Sequence, residues 1–430
     1  MIPTMPQWKR NLIVLWITQV LSLMGFNFVL PFLPYYIQEL GVREAESLRM
    51  WTGIIASAPA LSFAVVSPFW GIAADRWGKK LMILRAMIAG GVIMMLYAFC
   101  TTVQAVATLR VIQGLFTGTI AASTTMVAAG TPRNKLSYAL GFLSSSNYIG
   151  MSLGPLLGGV FAESFGFRLT FISGGIILFI GAVIVIMYVE ELKEEGAEAT
   201  LVLSKNVTLN GNGNPKDNGV APFPLRNLLH RSFLTLFFLL FILRIARNIA
   251  NPFIALYIQD IRGTMEGAPS LMGIISAGSG LLTALAGITL VRLGDSRPRE
   301  RLLKNLFLIS AVTALPMGFT GSVLGFSVFF LVSSYFMGGI EPIIQSSMSI
   351  IAPANRKGIV FGVQTTIGSL GWFVAPLLGS YVSIHFGIHE VFLALSIVLF
   401  LSWGASEYLF RRFPQSAEEA LSQEGRKCIH

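Results

Sequence analysis

Apolar positions along this chain gather into long uninterrupted runs, and polar residues fall in short clusters between them. Twelve runs can be marked: Leu12–Ile37, Trp51–Ala74, Leu81–Cys100, Ala105–Ala128, Tyr138–Phe161, Phe167–Val189, Ser232–Ile258, Leu271–Val291, Leu302–Thr320, Val323–Ile351, Ile359–Ser383 and Val391–Phe410. Each has roughly the length an α-helix needs to cross about 30 Å of hydrocarbon. The first run is longer than the apolar core of a secretory signal and lacks a small-residue cleavage site, so it reads as a retained span. The pattern predicts an all-α polytopic membrane protein with twelve transmembrane helices.

Composition agrees with that reading. Hydrophobic residues make up 54% of the chain and charged residues 12%, too few to cover a water-soluble surface. Two cysteines, one in a run and one in the tail, offer no disulfide framework. Of the 31 lysines and arginines, Arg43, Arg49, Arg168 and Arg262 fall on one side, and Arg110, Arg244 and Arg247 lie within runs. The other 24 lie on the opposite side. That asymmetry places both termini in the cytoplasm of a multi-pass plasma (inner) membrane protein. The net charge of +10 is spread over many short loops, which argues against nucleic acid as a partner.

The chain also repeats itself. "PFLPYYIQEL" (31–40) returns 221 positions later as "PFIALYIQDI" (252–261). At offsets of 220 or 221, Asn27 aligns with Asn248, Gly53 with Gly273, Asp75 with Asp295, Gly118 with Gly339 and Gly141 with Gly362. "GPLLGG" (154–159) likewise aligns with "APLLGS" (375–380). The repeat divides the chain into residues 1–189, a six-helix bundle, and residues 231–430, a second bundle with a short cytoplasmic tail. Residues 190–230, which contain "NGNGNPKDNG", read as a cytoplasmic linker. Two such halves suggest a binding site between them near the bilayer midplane, reached by rocking one half against the other.

Three motifs carry a family resemblance. "GIAADRWGKK" (71–80) lies between the second and third runs, "RVIQG" (110–114) in the fourth, and "GMSLGPLLGG" (150–159) in the fifth. With them the full length resembles the major facilitator superfamily, and within it the twelve-span drug:proton antiporters. The resemblance implies two pseudo-symmetric six-helix bundles and alternating access. It implies export of small amphipathic molecules or drugs in exchange for protons, driven by the proton gradient with no cofactor, by a monomer. It also implies that Asp75 latches against the start of the eleventh span, and that Gly71, Arg76, Gly78, Lys79 and Lys80 shape that loop. On the residues alone, the glycines permit a tight turn and the cations hold the loop in the cytoplasm. Gly150, Gly154 and Gly158, spaced by four, share a helix face that admits a close neighbour, while Pro155 removes a backbone donor and Gly159 follows. The family places this face against a span of the other half.

Charges within the membrane are costly unless paired or facing water, so they are functional candidates. Glu341 is the only acid deep in any run, and Arg244 and Arg247 lie well inside the seventh. Arg244, Arg247, Asn248 and Asn251 share a helix face at spacings of three, four and seven. In the family, spans one, four, seven and ten line the central cavity. The expected cavity residues are therefore Asn27, Gln113, Arg244, Arg247, Asn248, Asn251, Gln345 and Trp372, with Glu341 and Arg110 in proton coupling. A structural salt bridge from Glu341 to Arg244 or Arg247 is the plainer reading, and it is compatible with function. Many relatives carry an acid in the first or fourth span; here the first offers only Gln19 and Asn27. His385 and His389 stand four apart with no acidic partner pattern, so no metal site is expected, and no phosphate-binding glycine loop with lysine points to ATP. Three arginines against one glutamate favour the alternative of an exporter or flippase for anionic, sugar-bearing or lipid-headed substrates. A membrane enzyme or a receptor is a third class, for which no catalytic constellation appears.

Overall fold

The structure, a computed structural model, describes residues 5–132, 135–191, 231–296, 298–351 and 357–412. Of the expected linker, residues 192–230 lie outside these, as does the tail beyond 412. Every regular element among the described residues is helical. The second and third spans are Ala45–Trp77 and Lys79–Tyr97. The eighth is Ala268–Ser296, the tenth Val323–Ile351, the eleventh Lys357–His385 and the twelfth Ile388–Arg412.

Helix breaks fall where backbone chemistry demands them. The first span, Gln7–Asn27, passes through a 3-10 turn at Leu30–Phe32 into Leu33–Glu39. The seventh does the same: Arg231–Ile249, a turn at Asn251–Phe253, then Ile254–Arg262. Each turn is headed by a proline, Pro31 or Pro252, whose missing N–H cannot continue an α-helical ladder. Leu136–Tyr188 is one helical stretch of 53 residues, about 80 Å at the helical rise and over twice the hydrocarbon thickness. Gly166, at φ 78°, reverses it, so the stretch supplies the fifth and sixth spans, and the crossings among the described residues number twelve. The fourth span is Val103–Phe116 followed by Thr119–Gly130, parted at Gly118, which also has positive φ.

The repeated sequence becomes repeated contact. Buried Tyr36 donates to the carbonyls of Tyr97 (2.7 Å) and Cys100 (3.2 Å). Its counterpart Tyr257 donates to those of Met317 (2.6 Å) and Thr320 (3.2 Å). Each tyrosine thereby ties the outer end of a broken helix to the third span of its own half. Gln38 and Gln259, also 221 apart, bond each other reciprocally at 2.8 and 3.0 Å. A self-complementary pair of this kind marks the pseudo-twofold axis at the outer face. The two "YIQ" phrases thus place their glutamines face to face.

Candidate functional site

The seventh and tenth spans bring the deep charges together. Arg244 donates from Nη2 to Glu341 Oε1, and Arg247 from Nη1 to Glu341 Oε2 at 3.2 Å. Gln345, one helical turn beyond Glu341, donates Nε2 to its Oε1 at 3.1 Å. The Arg244 guanidinium also lies 4.8 Å from the centre of the Trp372 ring, within reach of a cation–π contact. The arginine side chains remain 20% and 28% exposed and Glu341 14% exposed. Partly exposed charges in mid-span cannot face lipid, so the cluster opens onto an aqueous space between spans. Two guanidinium groups against one carboxylate leave it net positive. Removal of Glu341 would leave both arginines without a counter-charge inside the membrane.

Several expected residues are placed elsewhere. Gln113 is buried, accepting from Tyr97 Oη (3.0 Å) and Arg110 Nη1 (2.9 Å), so it braces the third and fourth spans and does not line the cavity. Arg110 also donates Nε to the carbonyl of Ile55 at 2.9 Å. In the repeat, Arg110 aligns with Leu331, ten residues before Glu341, so the two differ in depth by about 15 Å of helical rise. Arg110 and Glu341 therefore form no common centre. Asn27 and Asn248 spend their amide N–H on carbonyls one turn back, Leu23 and Arg244, at 2.8 and 2.9 Å. Asn251 is exposed at the start of its turn.

The expected contact of the Gly150, Gly154 and Gly158 face is corrected. A Cβ at Gly150 would strike Leu23 and Val20, at Gly154 Asn27 and Met24, and at Gly158 the Phe28 carbonyl. All five belong to the first span and its extension, in the same half. The eleventh span packs on the seventh in the same way: a Cβ at Gly379 would strike Ile249, the repeat partner of Phe28. Contact with the other half falls to Pro155 and Gly159, one residue on and thus about 100° around the helix. Gly159 abuts the Pro269 carbonyl of the eighth span, and Gly273 of that span abuts the Pro155 carbonyl.

The symmetric seam joins the second and eleventh spans. Gly53 sits against Pro376 and Ser380, while Ser380 donates to the Arg49 carbonyl (3.0 Å) and Arg49 donates to the Ser383 carbonyl (2.6 Å). These contacts close the outer side. Towards the cytoplasm the same spans part: a Cβ at Gly71, Gly141 or Gly362 would meet nothing within 4 Å, and at Gly287 only the Tyr148 hydroxyl. The structure is sealed outside and open inside.

In the loop after the second span, Gly78 has φ 95°, a backbone shape that favours glycine. Beyond it, the backbone N–H groups of Lys79 and Lys80 donate to the Glu191 carboxylate at 2.8 and 2.7 Å. This acid just after the sixth span caps the third, a role that loop composition did not reveal. Arg76 is exposed on the last turn of the second span. The side chain of Asp75 lies outside the described residues, as does its expected latch contact.

Comparison with known proteins fits this geometry. The Major Facilitator Superfamily profile matches residues 15–263 and 236–427. A multidrug resistance protein MdtG of Yersinia enterocolitica is 30% identical over 422 residues, covering 98% of each chain. Its namesake in Enterobacter lignolyticus is 31% identical over 394 residues, 91% of this chain and 90% of that one. Among solved structures, a bacterial homologue of the human lysosomal transporter Spinster, inward-facing and occupied, superposes with a TM-score of 0.77 at 14% identity. That match covers 96% of this chain and 98% of the other. The nucleoside transporter NupG superposes with a TM-score of 0.71 at 13% identity, covering 93% of this chain and all of the other.

Proposed function

The chain belongs to the major facilitator superfamily, and from that premise we propose that it exports small amphipathic molecules across the plasma membrane in exchange for protons. It is a secondary active transporter of the multidrug-efflux kind, multi-pass and membrane-embedded, acting on small-molecule substrates. The observation that carries the coupling is the Arg244–Glu341–Arg247 cluster, charged, mid-membrane and open to the interior space. A proton arriving on the Glu341 carboxylate removes the only negative charge of the cluster and releases two guanidinium groups. Loss of that proton restores both ion pairs. The two protonation states therefore differ in how firmly the seventh and tenth spans are held together, which is the differential interaction a coupled conformational change requires.

A second reading, export of anionic substrates, is favoured by the surplus of guanidinium over carboxylate in the same cluster. Both readings meet one test. Purified protein in proteoliposomes is given naphthyl probes bearing an ammonium, a sulfonate or no charge, with and without a pH gradient. Gradient-dependent uphill movement abolished by a protonophore is expected. Preference for the sulfonate over the ammonium would establish the anionic reading, and movement indifferent to the gradient would refute proton exchange.

A further inference from the structure

We propose that the N-terminal half holds a second, uncharged recognition subsite, built by Gln19, Asn147, Thr124 and Ser144, that takes a hydroxyl group of the substrate. The proposal rests on the export reading and adds a part of the substrate to it. Gln19 is 2% exposed, in the middle of the first span, yet neither its Oε1 nor its Nε2 has a hydrogen-bond partner. Asn147 Oδ1, on the fifth span, is likewise buried and unpartnered. An amide withdrawn from water without a partner is costly, so a fold keeps one where something else completes its bonds.

These atoms do not sit in packed apolar core. Gln19 and Asn147 line one small cavity of about 10 Å³ together with Ile120, Thr124, Leu143 and Ser144. That is room for about one water-sized group, so the space admits a single hydroxyl and no more of a ligand. Its chemistry is specific. Thr124 and Ser144 give their hydroxyl protons to the carbonyls of Ile120 (2.7 Å) and Leu140 (2.8 Å), leaving their oxygens as acceptors. With Gln19 Oε1 and Asn147 Oδ1 the cavity presents several acceptors beside the NH₂ groups of Gln19 and Asn147, and no lining side chain is ionisable. A ligand hydroxyl, which both donates and accepts and carries no net charge, completes that set.

The position of the cavity gives it meaning. By the offset that aligns Gly118 with Gly339, Ile120 and Thr124 are the counterparts of Glu341 and Gln345. Asn147 is the counterpart of Gly368, where a Cβ would lie 3.6 Å from Arg244 Nε. Gln19 aligns with Leu240, which is fully buried. Equivalent places in the two halves thus hold an ion cluster on one side of the pseudo-twofold axis and free amides on the other. A substrate between them would present its charged end to one and its neutral polar end to the other.

The test uses naphthalene-1-sulfonate and 4-hydroxynaphthalene-1-sulfonate, plus the matched pair in which a trimethylammonium group replaces the sulfonate. Both equilibrium binding to purified protein and flux in proteoliposomes are measured. Wild type should prefer the hydroxylated member of a pair by roughly three- to tenfold in Kd and KM, the scale of one net hydrogen bond. Gln19→Leu should erase that preference while leaving the unhydroxylated member unchanged, and its thermal midpoint should hold or rise because an unpartnered amide is gone. Asn147→Leu and Thr124→Val should each lower the preference in part, and they carry the test if Gln19→Leu fails to fold. A wild type that binds and moves both members equally overturns the subsite and leaves export standing. So does a Gln19→Leu protein that keeps the preference but melts earlier, which would make the cavity a structural water site. Hydroxyl-selective binding without any flux would instead overturn export and leave the subsite. Neither binding nor flux of any probe refutes both.

Discussion

The outer and cytoplasmic ends of the same four spans are built from similar sequence and are packed in opposite ways. On the second, fifth, eighth and eleventh spans the outer glycines and prolines, Gly53, Pro155, Gly159, Gly273 and Pro376, carry the two halves into backbone contact. Nearer the cytoplasm, Gly71, Gly141 and Gly362 face open space on the second, fifth and eleventh of those spans. Small residues let helices approach, but whether they do depends on which end the rest of the fold has closed. The same residue type thus carries backbone contact where the halves meet and borders open space where they part.

That contrast can be broken most sharply at the closed end. Gly273→Leu puts a side chain into the Pro155 carbonyl and Gly159, and overpacking by this much should cut transport roughly tenfold or more. Proton leak through the parted seam, measured with a pH dye in proteoliposomes, should accompany the loss. The mirror substitution, Gly53→Leu against Ser380, should act alike; a wide gap between the two would show that the seams are not equivalent.

At the open end the expected effect is of a different kind. Gly71→Leu meets no atom in the inward-open state, so its thermal midpoint should stay close to wild type. Turnover should nonetheless fall, because the cytoplasmic side must close during each cycle. Equal destabilisation by Gly71→Leu and Gly273→Leu would contradict the asymmetry.

The smallest effect is expected on the axis itself. Gln38→Leu leaves the Gln259 amide without its partner, at a cost of about 1–3 kcal/mol, whereas replacing both glutamines by leucine should be milder than the sum of the single changes. Strict additivity of the two in a thermal-stability cycle would mean the reciprocal pair contributes nothing to the outer seal.

Much of this was legible in the sequence because charge and periodicity leave strong traces. Twelve apolar runs and a 221-residue echo specified the crossings and the axis, and the meeting of Gln38 with Gln259 follows from the echo once the halves face each other. Glu341 could be paired with Arg244 and Arg247 because an acid at that depth has few tolerable surroundings. Faces were harder to assign. Arg110 and Gln113, three apart, do share a face, but spacing cannot tell that it turns towards Ile55 and Tyr97 and away from Glu341. The family resemblance set the glycine face of the fifth span against the other half, whereas about 100° of rotation separates Gly154, which meets the first span, from Pro155, which meets the eighth. Neutral amides are quieter still: Gln19 was visible as a polar residue in the first span, and Asn147 gave no signal, because an uncharged side chain in a helix has many harmless explanations. Glu191 lay hidden in a polar loop whose only visible trait was charge.

The central claim is that protonation of Glu341 couples the two ends, and one measurement addresses it most directly. Glu341→Gln, reconstituted in proteoliposomes, presents the neutral form of the side chain permanently to Arg244 and Arg247. Substrate exchange without a gradient should persist, while uphill export driven by a pH gradient should vanish, and removal of Arg247 in addition should not restore it. A Glu341→Gln protein that still concentrates substrate with the usual dependence on the gradient would contradict the account.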